Sequence, residues 1–164
     1  MTNVKHIIRA ARLVAVLAAA LAISACASKP EDNAQASAAG VATPGSQQDF
    51  VVNVGERVFF ETDSSELTPQ SRATLDKQAQ WLALYNRYSF TIEGHADERG
   101  TREYNIALGA RRAQTVRDYL ISHGVAANRM RTISYGKERP VAVCNDISCG
   151  SQNRRAVTVL NASS

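Results

Sequence analysis

SFTIEGHADERGTREYNIALGARRAQTVRDYLIS, residues 89–122, is the stretch whose reading decides the fold. Phe90 and Ile92 alternate with polar neighbours, and this period of two predicts a strand over Ser89–Gly94. The period then changes. Ile106, Ala110, Ala113, Val116 and Leu120 recur at steps of four, three, three and four, which predicts a helix over Arg102–Ser122 with Gly124 placed for a left-handed cap. The polar loop His95–Gly100 joins the two.

Upstream, Arg57–Phe60 reads as a strand. Thr68-Pro69 then opens a helix, Thr as N-cap and Pro at the first helical position, and Leu75, Ala79 and Leu82 give it one apolar face up to about Tyr85. Trp81 and Leu84 flank that face, so Trp81 is read as core. Downstream, Met130–Tyr135 and Ala156–Leu160 are strands, separated by a loop from Gly136 to Gly150. Strands alternating with two helices predict an α+β fold, a two-layer sandwich. No internal repeat is present.

The 164 residues carry 19 Lys plus Arg against 15 Asp plus Glu, an excess that invites a nucleic-acid partner. Lys5, Arg9 and Arg12 lie in the first 25 residues, however, and without that stretch 16 bases face 15 acids. A near-neutral chain lacks the sequence-independent attraction to phosphate backbones, so nucleic acid is excluded. The same 25 residues have a basic start followed by the apolar run Leu13–Ile23, the pattern of a secretory signal peptide; a run of 11 is too short for a spanning helix, which needs roughly 20. Ile23-Ser24-Ala25-Cys26 resembles the bacterial lipobox, whose cysteine becomes the acylated first residue of a lipoprotein; the alternative is ordinary cleavage nearby with Cys26 as a free thiol. Residues 26–49 read as the acylated cysteine and a flexible tether, and 50–161 as the folded domain. Ala27–Gln48 is Ala, Ser, Gly, Gln and Pro with hardly a large apolar side chain, and as a flexible chain its roughly 22 residues average about 25–28 Å end to end. Of three cysteines, Cys144 and Cys149 remain. They sit five apart in a polar segment, which fits a local structural disulfide in an oxidising compartment better than a metal site short of ligands.

Polar residues concentrate between Glu93 and Asn105 and continue to Arg111-Arg112. Asn105, Leu108 and Arg112 are spaced i, i+3, i+7, which puts Asn105 and Arg112 on one helix face, roughly 10.5 Å apart. Asp97, on the loop before that helix, completes an acid and an arginine suited to a ligand that bears an ammonium beside a carboxylate. The competing reading makes Asp97 and Arg112 a structural ion pair, and spacing does not choose between them. A catalytic or metal-binding role for His95 with Asp97 finds no third ligand or nucleophile, nor a Gly-rich phosphate loop, an HExxH motif or a nucleophile elbow. No metal, no cofactor other than the lipid on Cys26, and no enzymatic activity are expected.

Gly94-His95-Ala96-Asp97-Glu98-Arg99-Gly100-Thr101, Tyr104-Asn105-Ile106-Ala107-Leu108-Gly109, Arg111-Arg112-Ala113 and Asn153-Arg154-Arg155-Ala156-Val157 resemble the OmpA-like peptidoglycan-binding domain family over about residues 55–161. The resemblance implies a mixed four-stranded sheet with helices packed on one face. It also implies a non-covalent grip on the diaminopimelate of peptidoglycan stem peptides, with Asp97 and Arg112 holding the amino-acid end of that side chain. By the same resemblance Asn105 and Arg154 fall on motif positions, Asp63 is a further contact, and Arg99 and Thr101 line the loop. Gly109 departs from the serine many members carry, with helix stability expected to feel the change more than binding. Together with the lipobox, and with Ala27 after the acylated cysteine, the family implies an outer-membrane lipoprotein facing the periplasm. It would tie membrane to wall in support of envelope integrity and division, with Tol components, in particular TolB, competing for the domain. The second class of function is a protein–protein adaptor without a wall ligand.

Overall fold

The computed structural model describes residues 42–144 and 146–161; the signal segment, Cys26 and the tether up to residue 41 lie outside them. A helical turn α1 (Gln47–Asp49) runs into a π turn (Phe50–Val54), followed by β1 (Arg57–Phe59), α2 (Pro69–Leu84), β2 (Phe90–His95), α3 (Arg102–Ser122), β3 (Met130–Gly136), α4 (Ile147–Asn153) and β4 (Arg155–Leu160). The four strands form one mixed sheet in the order β1-β4-β2-β3, with β4 antiparallel to both neighbours and β2 parallel to β3. Both β1-to-β2 and β2-to-β3 are therefore parallel crossovers that step across the sheet in the same direction. With the usual right-handed crossover this places α2 and α3 on one face.

The core lies between that face and the helices: Leu75 and Leu82 from α2, Val116 and Leu120 from α3, and Val58, Phe90 and Ile92 from the strands are all buried. One polar side chain is sealed within it. Gln78 donates to the Gly55 carbonyl (2.7 Å) and accepts from the Thr158 hydroxyl (2.9 Å), so burying it leaves no amide unpaired. Both long helices begin as expected, with Thr68 and Thr101 accepting from the backbone N–H three residues on. Gly124, at φ +87°, turns the chain after α3.

Gly94 and Gly109 set how closely α3 lies on the sheet. A Cβ at Gly94 would stand 2.6 Å from the Gly109 carbonyl carbon, and one at Gly109 would stand 2.8 Å from the Gly94 oxygen. The sequence reading gave the residue at 109 an effect on helix stability; the structure shows a packing requirement, two backbones meeting where neither carries a side chain.

Two boundaries also move. The domain's contacts begin before Phe50, inside the segment read as tether. Asp49 accepts from the Gly45 N–H and the Trp81 indole, both at 2.8 Å, and the Tyr88 hydroxyl donates to the Gly45 carbonyl (2.8 Å). The indole, followed by Asn53 and the Gly45 N–H, holds the Asp49 carboxyl below its ordinary pKa. Phe50 packs on Trp81 with ring centroids 4.9 Å apart. The loop read from Gly136 to Gly150 ends instead in α4, where Cys149 is disulfide-bonded to Cys144 across a Cα separation of 5.9 Å.

Candidate functional site

The C-terminal end of β2, the first turn of α3 and the loop after β1 enclose a pocket of about 220 Å³ lined by Asp63, Asp97, Arg99, Tyr104 and Asn105, with Thr62, Gly100 and Leu108 completing its wall. Asp97 is buried and ion-paired on two sides, by Arg99 and by Arg154 at 3.1 Å. Burial pushes the Asp97 carboxyl up, but the bonds from Arg99 and Arg154 outweigh it and hold it below the ordinary value. The two arginines differ. Arg154 is buried and also donates to the Phe60 carbonyl (3.1 Å), so it is a fixed brace, whereas the Arg99 side chain is 58% exposed and among the described residues bonds only to Asp97 and the Thr62 hydroxyl.

Asp63 takes a left-handed backbone conformation, φ 57°, that turns it over the pocket, where it accepts from the Tyr104 hydroxyl. That bond holds the Tyr104 phenol above its ordinary pKa. Asn105 donates to the Arg99 carbonyl (2.7 Å) and so fixes the loop beneath the Arg99 side chain.

Arg112 is placed differently from either reading of its spacing. Its side chain is fully buried and is paired to carbonyls: Nε to Ser64 (2.8 Å), Nη1 to His95 (2.8 Å) and Nη2 to Glu61 (3.1 Å). The guanidinium stands over the Phe60 ring, 5.1 Å from its centroid. Burial pushes its pKa down to about 10, against the pull of Asp97, so it remains charged. One residue thus ties the loop that carries Asp63 to the strand that delivers Asp97, from below the pocket rather than on its wall.

The profile of the OmpA family matches residues 59–155, the whole of this frame. The chain belongs to the OmpA family. Within it, the chain groups with the peptidoglycan-associated lipoproteins. It is 70% identical over 144 residues to that of Rhizobium meliloti (strain 1021), covering 85% of this chain and 82% of the relative. It is 59% identical to that of Brucella melitensis biotype 1, covering 98% of both. The crystal structure of the peptidoglycan-associated lipoprotein from Burkholderia pseudomallei superposes with a TM-score of 0.63 at 42% identity, over 65% of this chain and 90% of that one. The C-terminal domain of Helicobacter pylori MotB, at 22% identity and TM-score 0.61 over 65% of this chain and 84% of that one, shares the fold.

In this OmpA-family domain, four of the seven residues singled out for binding line the pocket: Asp63, Asp97, Arg99 and Asn105. Arg112 and Arg154 support it from beneath. Thr101 faces elsewhere, its hydroxyl spent on capping α3 at the Tyr104 N–H. The sequence reading left out Tyr104, although it lies one residue before Asn105 and four before Leu108, on the turn that faces the loop. His95 is buried behind the site, its ring tilted against Tyr135 (centroids 5.6 Å apart) and its Nε2 3.6 Å from Glu93; burial, then Arg155, Arg139 and Arg57, push its pKa down to about 4. Among the described residues no group of three His, Cys, Asp or Glu is arranged to hold a metal.

Proposed function

We propose that the chain is an outer-membrane lipoprotein, acylated at Cys26 and facing the periplasm, that holds peptidoglycan non-covalently through the free amino-acid end of diaminopimelate. The observation that carries this reading is the Asp97–Arg99 pair in the pocket beside Asp63. An exposed guanidinium there occupies the place of a ligand's ammonium. When a ligand bearing both groups enters, its ammonium replaces Arg99 at Asp97, and the released Arg99 takes the ligand's carboxylate as a bidentate fork. Arg154 stays on Asp97 throughout, and Arg112 holds Asp63 opposite while adding positive potential below. The pocket does no covalent chemistry. It recognises.

Relatives named peptidoglycan-associated lipoprotein at 59% and 70% identity support the wall as the ligand and the cell envelope as the setting. On this reading the protein links the outer membrane to the wall within the Tol system, and TolB competes with the wall for the same face. The test is a titration with a diaminopimelate muropeptide and with its lysine counterpart, which lacks the extra carboxylate. Selective binding to the first, lost in Asp97→Ala, is expected; equal or absent binding overturns it. Background sacculus binding with intact Tol-component binding would leave the adaptor role instead.

A further inference from the structure

The loop that lines this pocket is also the wall of a second cavity. Asp97 and Arg99 face the first pocket, while Ala96 and Glu98 face a neighbouring cavity of about 440 Å³. Its far side is Pro140, Ala142 and Val143, and Lys137 stands at its edge. These walls are held in place. The Asn153 amide accepts from the Val141 and Ala142 N–H groups (2.9 and 3.2 Å) and donates to the Ala142 carbonyl (2.8 Å), and the Cys144–Cys149 disulfide closes the segment just beyond. The Lys137 ammonium donates to the carbonyls of Glu98 (3.2 Å) and Gly100 (2.7 Å), so one of its three N–H donors is left for an anion.

Methyl-sized apolar walls, one ammonium with a spare donor and one carboxylate describe the complement of a small alkyl amino acid at a peptide's end. We propose that this cavity is a subsite for the alanine that follows diaminopimelate in a stem peptide. The alanine methyl lies among Ala96, Pro140, Ala142 and Val143, its terminal carboxylate on Lys137, and Glu98 accepts from the amide N–H that joins it to the diaminopimelate. The inference rests on the wall-binding reading of the first pocket. A peptide leaving that pocket crosses a single backbone segment to enter the second, because adjacent residues line the two. The domain would then distinguish stems that keep this alanine from stems trimmed back to diaminopimelate.

The test titrates the chain without its first 26 residues, which retains every described residue, against three synthetic stem peptides: a tripeptide ending in diaminopimelate, a tetrapeptide ending in alanine, and that tetrapeptide as its C-terminal amide. One added charge-assisted hydrogen bond makes the tetrapeptide bind about tenfold tighter than the tripeptide, with most of the gain lost in the amide. Lys137→Met is expected to erase the gain. Because Lys137 also braces Glu98 and Gly100, the second variant is Val143→Asp, at a side chain 88% exposed, which sets a carboxylate in the cavity. It should erase the gain while tripeptide affinity stays within about twofold. Equal binding of the three peptides, or a gain that survives both variants, overturns the subsite alone. Failure of the tripeptide to bind overturns the first-pocket reading and the subsite with it.

Discussion

Gly94→Ala is expected to damage stability and the site together. The new methyl would stand 2.6 Å from the Gly109 carbonyl carbon and closer still to its oxygen. Carbon atoms in contact rest at about 3.5–4.0 Å, so α3 must move off the sheet by about 1 Å or more. Neither obstacle is a side chain able to turn aside. Overpacking of this kind costs about 1–3 kcal/mol. The shift also draws the Arg112 Nη1 bond to His95, now 2.8 Å, out toward about 4 Å, where it no longer counts as a hydrogen bond. A lost bond to a charged group adds about 1.5–3 kcal/mol. Together these give about 2.5–6 kcal/mol, or a fall in Tm of roughly 10–25 °C for a domain of this size. Circular dichroism melts measure it, with Gly124→Ala as the reference: nothing lies within 4 Å of a Cβ there, and only the φ of +87° is strained, at about 1 kcal/mol. A Gly94→Ala protein that melts within about 3 °C of the parent, or above Gly124→Ala, would refute the close-approach argument.

Arg99→Ala should leave the melt unchanged while weakening muropeptide binding, whereas Arg154→Ala, which removes the buried one of the two partners of Asp97 and the donor to the Phe60 carbonyl, should destabilise by about 2–4 kcal/mol; paired melts and titrations separate the two. Reducing the disulfide opens a loop of sequence separation 5, for which chain entropy predicts a loss of about 2 kcal/mol, read from urea unfolding with and without reductant. His95 is held neutral with its pKa pushed down to about 4 against 6.5 unfolded, so its contribution is complete above pH 6.5 and is lost as pH falls toward 4. Urea midpoints across that window should decline for the parent and flatten for His95→Phe; parallel curves would show that other groups carry the limb.

The sequence carried α3 to the residue because its apolar steps run unbroken from Ile106 to Leu120 inside a 21-residue helix set between a threonine cap and a glycine, signals that tertiary context did not override. The strands were legible for the same reason, each within a residue or two at its ends. The small, polar residues of 42–48 hid a folded segment, since what fixes it is long-range: the Asp49 carboxylate meets an indole 32 residues away and the Tyr88 hydroxyl donates to the Gly45 carbonyl. No local pattern announces that. Likewise α4 spans seven residues and contains Gly150, too short for a period to show. At the site, spacing correctly put Asn105 and Arg112 on one helix face but said nothing of depth. That Arg112 is sealed beneath three carbonyls, and that Arg99 rather than Arg112 stands at Asp97, depends on where the loop after β1 folds back.

The chain joins the domain at Gly45, held by Tyr88 just before β2, and the pocket opens at Asp97, just after β2. These two points are separated by the length of a six-residue strand, about 20 Å. On the proposed wall-binding reading, tension between a lipid-anchored tether and a wall strand would run lengthwise down β2, which is bordered on both sides by β3 and β4. Pulled in that direction the flanking backbone bonds share the force in shear instead of opening one after another like a zipper. On the same proposal the grip on the ligand would yield before the fold, and a membrane drawn away from the wall would slip free and rebind with the protein intact.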